Sequence, residues 1–249
     1  MSTRAGSGAP TGRRTLQVLV RAVGWDLRLQ LRYHIVTVAA LVTALYAVAL
    51  RVLGAGRSDE LLVSILFSDP TMIGFLFVGV LVLFERGSGT LQAVLVTPLS
   101  TEQYLWSKAV SLTLIAVPCG TAMALAGGGS RTGIVPLVAS LTLTSLLFVF
   151  IGLAGVSRAR TLNEYLLLVP LFLVPMNLPL LDLFGMVDSW LHYLIPTQAS
   201  LVLLQAAFAS RPGWEAVYAV AYLSCAVAAA FQWARRAFET SVRGQGRAR

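Results

Sequence analysis

The fold is decided by residues 67–108, which read FSDPTMIGFLFVGVLVLFERGSGTLQAVLVTPLSTEQYLWSK. An apolar run ends at Phe84, a polar insert begins at Glu85, and the chain becomes apolar again after Lys108. An α-helix of about 20 apolar residues crosses the hydrocarbon core of a bilayer. The stretch therefore predicts two membrane spans joined by a short polar loop.

Long apolar runs recur along the rest of the chain. Of its 249 residues, 57% are hydrophobic and only 12% are charged, whereas soluble domains are about 25% charged. Runs near the length of a membrane span cover residues 33–52, 61–84, 109–125, 134–156, 165–181 and 216–233. We therefore predict an all-α integral membrane protein with six transmembrane helices.

The basic residues predict how these spans are oriented. Cations accumulate on the cytosolic side of membrane proteins. With both termini in the cytosol, fifteen basic residues fall inside and four fall outside. Two cytosolic ends require an even number of crossings, so a weaker apolar run at 194–209 should re-enter the bilayer, or lie at its outer surface, between spans 5 and 6. Because the cations flank spans and form no recognition helix, they indicate contact with membrane lipid and not with nucleic acid.

The segment before the first span predicts an amphipathic helix at residues 15–32. Apolar residues recur there every three or four positions, with arginines on the opposite face. Such a helix lies on the cytosolic leaflet, as a passive lead-in or as a docking element. We expect a single transmembrane domain over residues 1–249, divided into a disordered tail at 1–14, the interfacial helix at 15–32, the six-span bundle at 33–237 and a basic cytosolic tail at 238–249.

The sequence contains no pattern that indicates catalysis. It has no G-x-x-x-x-G-K-S/T phosphate loop. Its eleven acidic residues are scattered, and its two histidines, His34 and His192, fall at opposite faces of the predicted membrane. We therefore predict that the chain is not an enzyme and has no catalytic, cofactor or metal site of its own.

The polar insert predicts a short helix within the loop. Thr90 begins this helix, and the Thr97–Pro98 step stops it. One face is apolar and carries Leu91, Val94 and Leu95. Burying two or three such side chains against a partner is worth about 1.5 to 3 kcal/mol each, although a helix resting on lipid accounts for the same pattern.

The third span is predicted to begin directly after this loop. Ser100 is followed three positions later by Gln103, the spacing of a capping box, in which each side chain hydrogen-bonds to the backbone of the other residue. The loop should therefore connect two helices that start and stop at defined residues.

The loop resembles the signature of the ABC-2 type permeases, the membrane subunits of bacterial ABC exporters of drugs and antibiotics. The positions of their pattern E-K/R-x-x-G-T-L-x-x-L-x-x-T-P-L/M are occupied here by Glu85, Arg86, Gly89, Thr90, Leu91, Val94, Thr97, Pro98 and Leu99, with valine in place of the second leucine. The resemblance implies that these residues, with Leu95, form a coupling helix that contacts a separate ATP-binding subunit. It also implies that ATP and magnesium bind to that subunit, and that two permease subunits, identical or related, assemble in the bacterial cell membrane.

The fifth span predicts an interrupted helix. Pro170, Pro175 and Pro179 remove amide donors and kink it, and broken helices in membranes are buried in protein or line a cavity. Met176 and Asn177 between these prolines are our candidates for the translocation path. By resemblance, the cargo is an amphiphilic drug, antibiotic or lipid.

Asp69 in the second span is costly at the centre of a bilayer, so it should lie near the outer headgroups or face protein. Buried ionisable residues at mid-span are typical of ion-coupled carriers. An ion-coupled carrier or channel and a non-catalytic structural membrane subunit therefore stand as alternatives to the exporter.

Overall fold

The computed structural model describes residues 12–52, 59–88, 100–128, 132–159, 161–186, 194–208 and 213–246. Within these ranges the regular structure is helical, and the all-α class is confirmed. In chain order the helices are α1 (Gly12–Arg32), α2 (Ile35–Val52), α3 (Asp59–Met72), a π-helical segment (Ile73–Phe77), α4 (Val78–Gly87), α5 (Thr101–Gly128), α6 (Ile134–Val156), α7 (Leu162–Asn177), α8 (Pro179–Leu183), α9 (Pro196–Phe208) and α10 (Gly213–Gly246).

Six stretches of the described residues are helical, long and apolar enough to cross a membrane, as the apolar runs predict. They are Ile35–Val52, Glu60–Gly87, Thr101–Gly127, Ile134–Val156, Leu162–Leu183 and Trp214–Thr240. We call the end of the bundle where α4 ends and α5 begins the inner end, since it is the end predicted to face the cytosol.

Helix α6 forms the centre of the bundle. It is apolar nearly all round, and α3, α4, α5, α9, α10 and the π-helical segment pack against it. Phe148 and Phe150 of α6 are fully buried in the main hydrophobic core. A helix that is hydrophobic on every side requires such a central position, because neighbours must cover all of its faces.

The π-helical segment, at 73–77, interrupts the second span where it crosses α6. A Cβ atom on Gly74 would lie 3.1 Å from the Cβ of Phe148, so the absence of a side chain lets the two helices approach closely. A π-turn shifts the backbone hydrogen-bond register, and here the Phe75 carbonyl accepts a hydrogen bond from the Tyr165 hydroxyl of α7. The second and fifth spans are therefore joined at this turn.

The fifth span is broken, as its prolines predict. Helix α7 ends at Asn177, and α8 restarts with Pro179 at its first position, where a missing N–H costs least. The carbonyl of Met176 at the break accepts a hydrogen bond from Thr197 Oγ1 of α9, 2.6 Å away.

Helix α9 occupies the region of the weak seventh run. Thr144 Oγ1 of α6 donates to Ser200 Oγ of α9 at 2.8 Å, and Thr144 lies about 15 Å along α6 from its first residue at a rise of 1.5 Å per residue. The first turns of α9 therefore lie deep in the bundle beside α6. Its re-entry into the bilayer stays a prediction, and this depth supports it.

Helix α10 continues past the boundary we drew at residue 237. Its 34 residues measure about 51 Å, longer than the roughly 30 Å hydrocarbon core. Phe238 is buried against Tyr104, with ring centroids 5.5 Å apart. Residues 238–246 are thus part of the last helix, because this contact holds it to α5 at the inner end.

Helix α1 has three faces, and not two. Arg21 and Arg28 are exposed on one side, and apolar side chains such as Val20 are exposed on another. The third side packs against α5 and buries Asp26 and Gln30. The helix is present at the predicted place, its position on the cytosolic leaflet stays a prediction, and the buried polar face was not predicted.

Candidate functional site

A buried ion network lies at the inner end of the bundle, directly beside the predicted coupling loop. The ammonium of Lys108 on α5 hydrogen-bonds to the carboxylates of Asp26 on α1 and Glu85 on α4. Lys108 is 2% exposed, and each carboxylate residue is 4% exposed. One compact cation therefore joins three helices.

Tyr104 completes the environment of Glu85. Its hydroxyl donates to Glu85 Oε2 at 2.8 Å, and the Lys108 ammonium lies 5.2 Å from the centre of its ring. One turn beyond Lys108, Ser111 accepts a hydrogen bond from Gln30 Nε2 at 2.8 Å. Helix α1 is thus fixed to α5 at two successive turns.

Arg86 links the end of α4 to the connection between α6 and α7, which also lies at the inner end, and to α10. Its Nη1 donates to the carbonyl of Ala159 at 2.9 Å, and its guanidinium carbon lies 6.0 Å from the ring centre of Phe238 on α10. Neighbouring residues of α4 therefore point to different partners: Glu85 towards α1 and α5, and Arg86 towards the end of α6 and α10.

The loop returns to the bundle through the predicted capping box. The Ser100 backbone N–H donates to Gln103 Oε1 at 3.0 Å, and the Gln103 N–H donates to Ser100 Oγ at 3.2 Å. Helix α5 begins at Thr101, as this pattern predicts. Both ends of the loop are therefore held in place, by the capping box on one side and by Glu85 on the other.

The chemistry of the network suits positioning. Burying charged groups removes their hydration, so a buried ion pair adds little net stability, although removing one partner is strongly destabilising. Lysine carries three donors and no acceptor, which lets it hydrogen-bond to two carboxylates on different helices at once. We call the set of Asp26, Glu85, Tyr104 and Lys108 the inner lock.

A family model described as the fluoroquinolones export permease protein family matches residues 17–245. The chain belongs to this family. Two relatives from two strains of Mycobacterium tuberculosis, each named a fluoroquinolones export permease protein, are 30% identical to the permease over 208 residues. The match covers 82% of the permease and 87% of each relative. The resemblance found in the loop signature is confirmed at the level of a drug-export permease.

The coupling-helix residues divide between described and undescribed parts of the permease. Glu85 and Arg86 are described, and both are engaged inside the bundle. The others lie outside the described residues: Gly89, Thr90, Leu91, Val94, Leu95, Thr97, Pro98 and Leu99. The assignment of the whole set to a partner contact stays a prediction, and the burial of Glu85 favours a role in holding the loop.

The two path candidates lie at the break in the fifth span. Asn177 Nδ2 donates to the Leu173 carbonyl of its own helix at 2.7 Å, and Met176 packs partly buried against the main core. Their assignment to the path stays a prediction, since an amide that bonds to its own helix has less capacity for a ligand.

Sequence reasoning missed Asp26, Tyr104 and Lys108 as members of a site. A signal existed, because Lys108 is the single lysine among nineteen basic residues and Asp26 is the single acid in an arginine-rich helix. Isolated ionisable residues near the ends of membrane helices pair with one another, and that rule could have linked them.

Proposed function

We propose that this permease is the membrane subunit of an ATP-driven ABC exporter, which forms the path for an amphiphilic compound and couples to a separate ATP-binding subunit. Membership of an export permease family supports the transport role, and the loop signature supports the coupling. ATP and magnesium would bind to the partner subunit. The work would come from ATP binding more tightly to one state of the assembly than to the other.

The observation that carries the proposal is the inner lock. It joins the helix that enters the loop, the helix that leaves it and the amphipathic helix α1 through one buried cation. A force on the loop would therefore move α4, α5 and α1 together, since separating them exposes or isolates buried charges. A loop that only rested on lipid would have no need of such rigid supports.

The cargo proposal comes from the relatives, which are named for fluoroquinolones. These compounds are planar aromatic amphiphiles, and we propose cargo of this chemistry for the permease as well. The path would form between two permease subunits, with Met176 and Asn177 near it. The fifth span supports a subunit contact, because it is the least buried of the six and exposes Leu167, Leu171 and Val174 on one side.

The decisive experiment is co-purification with an ATP-binding subunit encoded by a neighbouring reading frame. Leu91→Asp and Leu95→Asp place a charge on the apolar face of the predicted coupling helix, so each should release the partner. Gln92→Asp introduces the same charge on another face of that helix and should retain it. Equal retention by all three variants would contradict the coupling role.

The ion-coupled carrier remains the second candidate, because Asp69 is buried within a span. Proteoliposomes containing the permease and the ATP-binding subunit separate the two proposals. Our proposal expects uptake into inside-out vesicles with ATP and none with a proton gradient alone. The reverse pattern would favour the carrier, and transport under neither condition would favour a structural subunit.

A further inference from the structure

A small cavity lies near the middle of the permease, between α2 and the stretch formed by α3 and the π-helical segment. Its volume is about 120 Å³. Most of its wall is apolar, and the polar exceptions are Tyr46, Ser68 and Asp69. A cavity with one carboxylate in an otherwise apolar wall is an unusual feature of a membrane span.

Asp69 has an unmet need for a hydrogen-bond donor. The residue is 3% exposed, and its Oδ2 has no partner among the described residues. The nearby hydroxyls are committed to their own helices: Ser68 Oγ donates to the Ser64 carbonyl at 2.8 Å, and Thr43 Oγ1 donates to the Ala39 carbonyl at 2.8 Å. Asp69 therefore lines the cavity, and one oxygen of its carboxylate has no hydrogen-bond partner among the described residues.

The depth of Asp69 makes this need costly. Asp69 lies nine residues after Glu60, the first residue of its span, which is about 14 Å at 1.5 Å per residue. Asp69 therefore lies well inside its helix and, at 3% exposure, is surrounded by protein. Of the two alternatives drawn from the sequence, the structure supports the one in which Asp69 faces protein. An ionisable residue at such a depth is by default a functional site.

We propose that Asp69 binds the protonated amine of an amphiphilic cargo. The inference rests on the proposed export function and names the contact that recognises the cation. An ammonium donates hydrogen bonds to the carboxylate and neutralises it, which removes the cost of a lone charge in an apolar cavity. Tyr46 and Phe77 line the same cavity, and aromatic rings attract cations.

The size of the cavity limits what enters it. Pockets that hold whole drug-sized ligands have volumes of about 300 to 1,000 Å³, so 120 Å³ accommodates the amine-bearing end alone. Tyr46 is 36% exposed, and its neighbour Leu45 is 67% exposed. The rest of the ligand would therefore lie along the outward face of α2, which is open to the bilayer.

A metal ion fits this site less well than an amine. Hard cations require about six oxygen ligands, and no group of three or more His, Cys, Asp or Glu side chains that could hold a metal occurs in the described part of the permease. A single carboxylate is sufficient for an ammonium, which makes one or two charge-assisted hydrogen bonds.

The test measures binding of two matched probes to the permease in lipid nanodiscs. Ciprofloxacin carries a basic piperazine amine, and N-acetylciprofloxacin has the same ring system without that charge. Asp69→Asn should weaken ciprofloxacin binding by about tenfold, the equivalent of one charge-assisted hydrogen bond, and leave the acetylated probe unchanged. Asp69→Glu should recover part of the loss, and Ser64→Ala, one turn outside the cavity with its hydroxyl bonded to the Glu60 carbonyl, should match the wild type.

Two results would overturn the assignment: equal binding of ciprofloxacin by the wild type and Asp69→Asn, or equal affinity of the wild type for the two probes. Binding of the acetylated probe shows that a variant is folded. If Asp69→Asn does not fold, the difference in affinity of the wild type for ciprofloxacin and N-acetylciprofloxacin is the deciding measurement. ATP-driven transport of either probe tests the exporter separately. If neither probe is transported but ciprofloxacin binding still depends on Asp69, the exporter proposal is rejected and the binding site is retained.

Discussion

The inner lock makes a sharp prediction for Lys108→Met. Methionine has nearly the length of lysine but no charge, so the substitution removes the cation and leaves the carboxylates of Asp26 and Glu85 buried beside each other. Each residue is 4% exposed, so water cannot replace the lost ammonium without opening the contacts between α1, α4 and α5.

The expected magnitude follows from this burial. Removing one partner of a buried ion pair costs about 3 to 5 kcal/mol in the free energy of unfolding. For a chain of this size, 1 kcal/mol lowers the melting temperature by about 2 to 4 °C. The melting temperature of Lys108→Met should therefore fall by about 6 to 20 °C, measured by intrinsic fluorescence of the detergent-solubilised permease.

Two controls separate charge from packing. Arg235→Met removes a cation that pairs with Glu102 and Glu239 but is 46% exposed, and such solvent-screened pairs contribute little to stability. A triple variant that combines Lys108→Met with Asp26→Asn and Glu85→Gln neutralises the whole network and should recover most of the loss. Glutamine at position 85 still accepts the Tyr104 hydrogen bond.

Two outcomes would refute the reasoning about the lock. The first is a loss in Lys108→Met no larger than that in Arg235→Met, which would mean that water or lipid headgroups reach the carboxylates. The second is a triple variant as unstable as Lys108→Met, which would mean that the lysine side chain acts through packing.

Further substitutions test three local features by the same thermal measurement. Gly79→Ala should destabilise the permease by about 1 to 3 kcal/mol, because its Cβ would lie 1.9 Å from the Tyr165 ring, whereas Gly87→Ala, with no neighbouring atom within 4 Å, should be neutral or mildly stabilising. His34 is exposed and has a φ of 58°, a left-handed backbone conformation that favours glycine. His34→Gly should therefore raise the free energy of unfolding by about 0.5 to 1 kcal/mol, and His34→Ala should leave it unchanged. Ser100→Ala removes the hydroxyl that caps α5 and should lower the free energy of unfolding by about 0.5 to 2 kcal/mol. It should also speed amide hydrogen exchange in the first turn of α5, and unchanged exchange would contradict the cap.

The spans and the start of α5 were predictable because they depend on local signals. Helix α6 coincides with the apolar run at 134–156, since Gly133 and Ser157 mark both of its ends. The capping box at Ser100 depends on residues three positions apart. Such patterns are complete within a few turns of the chain, so neighbouring residues reveal them.

The inner lock and the Asp69 cavity were not predictable in the same way. Asp26 and Lys108 are 82 positions apart, so no local sequence pattern links the two residues. A two-sided pattern cannot reveal a third face that packs against protein. The sequence allows Asp69 to lie near the headgroups or against protein. The packing of α2 against the second span, which forms the cavity, distinguishes these positions.

The π-turn at Ile73–Phe77 divides one membrane crossing into two rigid rods, with Asp69 on the first and Glu85 on the second. Such a turn holds one residue more than an α-helical turn, and each residue of an α-helix accounts for about 100° of rotation. The extra residue therefore offsets the faces of the second rod by about 100° from where a continuous α-helix would place them. This offset sets the directions in which the outer carboxylate of Asp69 and the inner carboxylate of Glu85 leave a single crossing.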